Sequence, residues 1–504
     1  MLPNDEHNRA LLARVHPPDW VNPQAAASYN LVVLGAGTAG LVTAAVAAAL
    51  GAKVALIEKA LMGGDCLNVG CVPSKGMLSA ARAWAAVRKA DAFGLKTPSG
   101  AHGDFGAAMA RMRRLRAAIS PNDSAQRFKE LGVDVFFGEG RFLDKRTIDV
   151  AGTRLRFSRA AICTGARAAI PPIPGLEQAG CLTNETIFSL TELPPRLAVI
   201  GAGPIGCELA QAFARFGSRV TVIEQADRLL PREETDAARL VQASMERDGV
   251  QFLFRAAISK VDRRGDEKIL HYTAMGQMQE LAVDAILVGA GRRPNVDGLG
   301  LEQAGVAYTP AGVTVNPLLQ TSNARIYAAG DVCSAEKFTH AADAQAQIII
   351  QNALFPHPFG LGYATTSLLV IPHCTYTDPE LAHVGLTEAE AQQQGIEMQS
   401  YTVPLHEVDR ARLDGEEEGL VRLHVKQGSD AIIGATIVAS HAGELISQLS
   451  LAMRAGLGLS AITSTIYPYP TQAEAIKKAA QAWRKTLLTE GKKAILKRWF
   501  GWTR

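Results

Sequence analysis

An α/β architecture is what this chain predicts, because one local pattern occurs in it twice. Asn30-Leu31-Val32-Val33-Leu34 is the continuous apolar run of a strand buried on both faces. Gly35-Ala36-Gly37-Thr38-Ala39-Gly40 then opens an Ala-rich helix ending near Gly51, and Lys53-Val54-Ala55-Leu56-Ile57-Glu58 is a second strand with an acid at its end. The same order recurs in Leu197-Ala198-Val199-Ile200, Gly201-Ala202-Gly203-Pro204-Ile205-Gly206 and Val220-Thr221-Val222-Ile223-Glu224. In both copies the acid stands 23 residues after the first glycine.

The chemistry of the pattern is specific. Glycines permit the tight turn and let backbone N–H groups reach a pyrophosphate at a helix N-terminus. Gly35, Gly37 and Gly40 do this in the first copy and Gly201, Gly203 and Gly206 in the second, while Glu58 and Glu224 are placed for a ribose hydroxyl. Two such units predict two Rossmann-like dinucleotide-binding domains, one for a flavin and one for a nicotinamide.

Cys66 and Cys71 lie in Gly64-Asp65-Cys66-Leu67-Asn68-Val69-Gly70-Cys71-Val72-Pro73-Ser74-Lys75, and Cys66 follows Gly40 by 26 residues. Four residues between the thiols argue against a zinc knuckle, which uses tighter pairs and a second pair elsewhere. Thiols this close behind a nucleotide site point to electrons passing from a cofactor into a sulfur pair. A helix starting near Val72 would lower the neighbouring thiol's pKa through its positive end.

Composition sets bounds. At 504 residues the chain should form two to four domains, and 47% hydrophobic with 20% charged residues is a soluble globular composition. The other five cysteines, Cys163, Cys181, Cys207, Cys333 and Cys374, are scattered, as in a reducing compartment. Cys207 and Cys333 read as small packing residues. The acidic start, Met1-Leu2-Pro3-Asn4-Asp5-Glu6, does not read as a signal peptide, and no apolar run is long enough to span a bilayer, so a cytoplasmic protein is expected. A net charge of +3 gives no argument for nucleic acid, and no reading motif supports such a partner.

With these motifs, and with Ile162-Cys163-Thr164-Gly165, Gly291-Arg292-Arg293-Pro294-Asn295 and Ile326-Tyr327-Ala328-Ala329-Gly330-Asp331 in order behind them, the chain resembles the pyridine-nucleotide disulfide oxidoreductases from about Leu31 to about Ala480. That family includes glutathione reductase, dihydrolipoyl dehydrogenase and mercuric reductase. The resemblance implies a glutathione reductase-like fold: an N-terminal arm at 1–28, an FAD domain at 29–180, an NAD(P) domain at 181–301, an FAD-domain return at 302–366 and an α+β dimerisation domain at 367–475. A homodimer is implied, with both subunits contributing to each active site.

By the same resemblance Cys71 would be the charge-transfer thiolate beside the flavin and Cys66 the interchange thiol. Lys75 and Glu208 match an ion pair next to the flavin ring. Asp331 would hold the FAD ribityl chain, and Thr164, Gly165, Gly291 and Gly330 would line the cofactors. Glu224 favours NADH over NADPH, since a carboxylate there repels a 2′-phosphate; Arg228 and Arg232 follow shortly.

One position departs. Disulfide reductases of this family carry His-Pro-Thr near the C-terminus with a Glu five residues after the His, whereas this chain reads Tyr469-Pro470-Thr471 with Glu474 kept. A His of pKa about 6.5 can hold a substrate proton; a phenol near about 10 is a poor base at neutral pH. Tyrosine here is similar to mercuric reductase, as is Gly203 to Phe213. Reducing Hg²⁺ asks for two thiolates, Cys66 and Cys71, as transient metal ligands and needs no imidazole. Against that, no cysteine follows Cys374, where mercuric reductases carry a C-terminal pair. The expectation is an FAD enzyme passing electrons from NAD(P)H to Hg²⁺ or another soft metal. The alternatives are a dihydrolipoyl dehydrogenase-like disulfide reductase and a membrane-surface flavoprotein in a larger assembly.

The ends differ from the body. Residues before Asn30 hold four prolines and no clear period, which predicts an extended arm. The tail at 476–504 holds nine Lys and Arg against one Glu, with Trp483, Trp499 and Trp502 among them. It reads either as a helix packed on the dimer or as a basic amphipathic helix on an anionic inner-membrane surface.

Overall fold

Tyr29–Leu34 (β1) and Val54–Glu58 (β2) run parallel, with Leu31 opposite Val54 and Leu34 opposite Ile57. Both are apolar almost throughout because both faces of the sheet they start are covered, one by helices and the other by the antiparallel strands within residues 140–162. The crossover helix Thr38–Ala49 (α2) packs against the helix Thr339–Leu354, and its run of alanines lets the two approach closely. In the computed structural model, which describes residues 1–98 and 100–504, the chain divides into two units. One is Met1–Gln225 with Gln251–Leu369; the other is Ala226–Val250 with Val370–Arg504.

In the first unit Asp134–Phe137 (β3) extends the sheet beyond β2. Gly140–Asp144 (β4) and Thr147–Val150 (β5) form an antiparallel hairpin onto Thr153–Ile162 (β6). β6 changes partner along its length: its first residues pair antiparallel with β5, and its last pair parallel with β1, ending with Ile162 opposite Leu34. Ile326–Ala328 pairs parallel with the same end of β6. Gly35, Cys163 and Gly330 thereby leave the carboxyl ends of adjacent strands, the place where α/β sheets bind ligands.

The second copy of the pattern folds the same way. Gln251–Leu253, Arg219–Ile223, Arg196–Ile200 and Ala285–Val288 form a four-stranded parallel sheet in that order, with the helix Pro204–Phe216 as the crossover. An antiparallel meander, Ala257–Arg264, Glu267–Ala274 and Gln277–Val283, follows.

The N-terminal residues do not form the extended arm that their prolines predict. Glu6–Val15 is a helix (α1), capped by Asp5, whose side chain accepts from the Asn8 N–H. It buries Leu11 and Val15 against Phe105–Ile119 (α5). Beyond it, Trp20 donates to Val135 O and the Asn22 amide pairs in both directions with the backbone of Phe137. One i, i+4 apolar pair in a ten-residue helix is too little periodicity to read from sequence.

The second unit is built on a five-stranded antiparallel sheet ordered His373–Thr375, Glu380–Gly385, Ile432–Ala439, Leu420–Lys426, Met398–Pro404. The helices Ala442–Arg454 and Glu474–Thr486 pack on it. The stretch expected as one tail thus divides: Glu474–Thr486 buries Ile476, Ala479, Ala480 and Trp483 in the core, and only the helix Glu490–Trp502 buries nothing. The helix Thr235–Arg247 also belongs to this unit. Glu234, just before it, accepts from Arg422 at 2.8 Å and from fully buried His424 at 2.8 Å, and Asp236 completes the pair with Arg422.

Burial alone would raise the Glu234 carboxyl, but the His424 hydrogen bond and the Arg422 charge win and hold it near about 2, against an ordinary 4.5. A carboxyl lowered in the folded state stabilises fully above its unfolded pKa and loses that contribution as pH falls towards the folded one. Glu234→Gln should therefore destabilise the protein most above about pH 4.5 and progressively less towards about pH 2. Urea denaturation of both proteins across that window checks this; a constant gap would rule it out.

Candidate functional site

The sulfur pair sits on two consecutive helices. Cys66 lies within Gly64–Asn68 (α3), and Cys71 is the first residue of Cys71–Arg88 (α4). Gly63 and Gly64 both have positive φ, and a Cβ on Gly64 would stand 2.6 Å from Gly37 Cα. The thiol helix is thus pressed against the middle glycine of the first fingerprint, and only glycine fits that contact. Asn68 ties the turn by donating to Met62 O and Gly64 O. Arg116, almost wholly buried, donates to Asn68 O on one side and to Asn8 Oδ1 of α1 on the other. The N-terminal helix therefore buttresses the sulfur site.

Both thiols are free, and they differ in acidity. The hydrogen bond from Cys66 brings the Cys71 thiol down to about 6 against partial desolvation, helped by the Thr339 hydroxyl at 3.4 Å and the Lys75 charge. Cys66 is driven strongly up by the same hydrogen bond and by burial. The more acidic thiol of the pair is thus Cys71, which stands at a helix N-terminus. Cys163, Cys181, Cys207 and Cys333 are all pushed upward by burial, so the thiolate character is local to Cys71 among them.

Lys75 follows Cys71 by one helical turn and shares its face. Its ammonium lies 2.8 Å from the nearly buried Glu208 carboxylate on Pro204–Phe216.

The two fingerprints are near-copies in detail. Gly35 and Gly201 have φ of 98° and 101°, and a Cβ on Gly40 or Gly206 would fall 1.8 Å or 2.1 Å from the carbonyl oxygen of the first glycine. Around the middle glycines there is room: a Cβ on Gly37 would meet only Gly64 Cα at 3.8 Å, and one on Gly203 would meet nothing within 4 Å. No side chain caps α2 or Pro204–Phe216. Room at the middle glycine beside an uncapped helix start fits a dinucleotide pyrophosphate in each copy. Glu58 Oε2 accepts from Ala36 N–H at 2.7 Å, and Glu224 Oε2 from Ala202 N–H at 2.7 Å, so each acid is oriented by its own glycine loop. Burial raises the Glu58 carboxyl.

Thr164 and Asn295 exchange hydrogen bonds through each other's backbone carbonyls, joining the Thr164-Gly165 turn to the segment after Gly291. Sequence reasoning missed what Arg292 does there. Its guanidinium pairs with Asp65, which precedes Cys66, and with Asp331 at 3.0 Å, and donates to Ala166 O at 2.7 Å. Asp331, expected on the ribityl chain, is thus tied to the helix carrying Cys66 through one cation. Gly330 N–H donates to Gln345 Oε1 at 2.7 Å. The available signal was an acid next to the first cysteine with an arginine in a later motif.

In the second unit Tyr469 is 71% exposed and donates to Asp409 Oδ2 at 3.0 Å, not to Glu474. That bond raises the phenol's pKa, which makes it a still poorer base. Glu474 Oε2 is buried without a hydrogen-bond partner. Tyr467, Tyr469, Glu474, Lys477 and Lys478 line a cleft of about 200 Å³. Among the described residues no group of three or more His, Cys, Asp or Glu could hold a metal ion.

The family described as pyridine nucleotide-disulphide oxidoreductase matches residues 29–347, and its dimerisation domain matches residues 371–480. A mercuric reductase of Staphylococcus aureus is 36% identical over 458 residues, covering 91% of this chain and 83% of that protein. A dihydrolipoyl dehydrogenase of Bacillus subtilis is 32% identical over 478 residues, covering 91% and 98%. In structure, the Cu(II) complex of the HOCl-induced flavoprotein disulfide reductase RclA of Escherichia coli matches with a TM-score of 0.79 at 29% identity, covering 89% of this chain and 98% of that one.

The thiolate assignment has a direct consequence. Replacing Thr339 by Val should raise the Cys71 midpoint above about 6, and Cys66→Ala should raise it further, because the Cys66 hydrogen bond is the larger cause. The pH dependence of thiolate absorbance and of alkylation in the reduced proteins reads both shifts. Unmoved midpoints would mean that other groups hold the charge.

Proposed function

Since the chain belongs to the pyridine nucleotide-disulphide oxidoreductase family, and is an NAD(P)H-dependent FAD enzyme of that kind, we propose that it reduces Hg²⁺ or another soft metal ion with NADH. The observation carrying this is the lowered pKa of the Cys71 thiol, and the sequence adds a tyrosine, Tyr469, at the position where a disulfide reductase would carry its acid–base histidine. FAD, when bound, supplies the two-electron relay between nicotinamide and sulfur.

The chain's own residues account for the rest. Gly35, Gly37, Gly40 and Glu58 hold the flavin dinucleotide, with Asp331, Thr164 and Gly165 at its other parts. Gly201, Gly203, Gly206, Glu224 and Gly291 take the nicotinamide dinucleotide. Lys75 orients beside the flavin and is itself oriented by Glu208. Cys71 and Cys66 bind the soft cation as thiolates, Cys66 giving up its proton on binding. In the net reaction NADH loses two electrons, Hg²⁺ gains them to become Hg⁰, and one proton is released. The dimerisation-domain match supports a homodimer, and the compartment we infer is the cytoplasm.

NADH is preferred because the Glu224 carboxylate stands at the ribose end of the second fingerprint. The Arg228 guanidinium is engaged in its own loop by the carbonyls of Pro231 and Glu233. Glu224→Ser should narrow the preference for NADH over NADPH in kcat/KM by about tenfold, or roughly 1.4 kcal/mol. An unchanged ratio would remove Glu224 as the discriminator.

The deciding experiment is NADH oxidation by FAD-loaded protein with Hg²⁺ in excess thiol, beside Cys71→Ala. Metal-dependent turnover that the variant loses is the expected result. If NADH still reduces the sulfur pair but no metal accelerates turnover, the metal reading falls, and lipoamide becomes the next acceptor to test.

A further inference from the structure

The helix Glu490–Trp502 leaves all its apolar residues uncovered: no residue of it is buried. Ile495, Trp499 and Trp502 recur at i, i+4 and i+7 and so share a face, flanked by Leu496 and Phe500. Ile495 is 68% and Trp502 88% exposed. Lys493 and Lys497 lie on the opposite side, Arg498 borders the face beside Trp502, and Lys492 stands between Trp499 and Leu496. The preceding helix shows that burial was available, since Glu474–Thr486 puts Ile476, Ala480 and Trp483 into the core.

We propose that this helix docks the protein on an anionic lipid surface, lying in the plane of the headgroups. Charge selects the occupant. After Glu490 the chain has no acid, and it carries Lys492, Lys493, Lys497, Arg498 and Arg504, while the residues before the C-terminal basic stretch are net negative. A second copy of the same helix would bring like charges together. An anionic membrane instead pairs with the cations and receives the tryptophans at the depth where their rings partition. Thirteen residues give a rod of about 20 Å, too short and too charged to cross, and no helix among the described residues is long and apolar enough to do so. The apolar face and the cations are the two weak signals that together give stable peripheral attachment. This inference is independent of the electron acceptor.

The test is co-sedimentation of the FAD-loaded full-length protein with vesicles of phosphatidylcholine alone or of phosphatidylcholine with phosphatidylglycerol. Binding should require the anionic lipid and weaken at high salt. Each cation removed should cost about fivefold in partition, so Lys493→Glu with Lys497→Glu should abolish most of it, and Trp499→Ala should weaken it in a salt-independent way. NADH reduction of the sulfur pair should be unchanged in these variants. Equal binding to both vesicle types, binding that survives the charge reversal, or no binding at all overturns the proposal. A loss of dimer on gel filtration of the Trp499→Ala protein would also overturn it, assigning the face to a second copy.

Discussion

The lowered pKa of the Cys71 thiol is the constraint around which the sulfur site is arranged. A thiolate held below the usual thiol range needs compensation at short distance, and four groups supply it: the Cys66 thiol, the Thr339 hydroxyl, the Lys75 ammonium and the N-terminus of α4. None of these is free to drift. Cys66 is fixed by α3, whose turn is pinned by Asn68 and pressed on Gly37. Thr339 begins the helix that packs on α2, and Lys75 is held by Glu208. The fold therefore converges several remote segments on one sulfur atom.

The same convergence explains the Arg292 bridge. Asp65 and Asp331 would repel one another if both faced the flavin side unpaired, and an exposed pair would contribute little. Arg292 is largely buried, and pairing with both acids keeps it charged and raises its pKa although burial alone would lower it. Losing either acid would leave a buried charge half-compensated, which is costlier than losing a surface pair. The bridge also means that the segment carrying the cysteines and the segment expected to carry the flavin ribityl contact cannot shift independently.

What the sequence made legible was local in kind. Both glycine fingerprints, their acids and the spacing of the thiols are patterns within thirty residues, and strand burial follows from apolar runs such as Leu31 to Leu34. Lys75 and Glu208 were reached through the family resemblance, and the structure does bring them to 2.8 Å. The rest was hidden for one physical reason: contacts between segments far apart leave no period in either. Asn8, Arg116 and Asn68 form a chain across more than a hundred residues, and Arg292 reaches Asp65 across a still longer interval. Helix α1 was masked by the prolines around it and by having only two deeply buried apolar residues, Leu11 and Val15.

Tyr469 brings these threads to the reaction. An acceptor disulfide leaves the enzyme as two thiols and so must be given protons; a group that titrates near neutrality normally manages that exchange. Here the Tyr469 phenol donates its own hydrogen bond to Asp409, and its pKa moves up, not down. Glu474, which stands where the resembling enzymes keep a Glu five residues after the histidine, has Oε2 without a hydrogen-bond partner. A metal ion accepting two electrons takes no proton. The only proton to be displaced is that of Cys66, and the incoming cation displaces it by binding sulfur. In the reaction we propose, the electrophile itself ionises the second thiol by binding its sulfur, as a soft metal ion does.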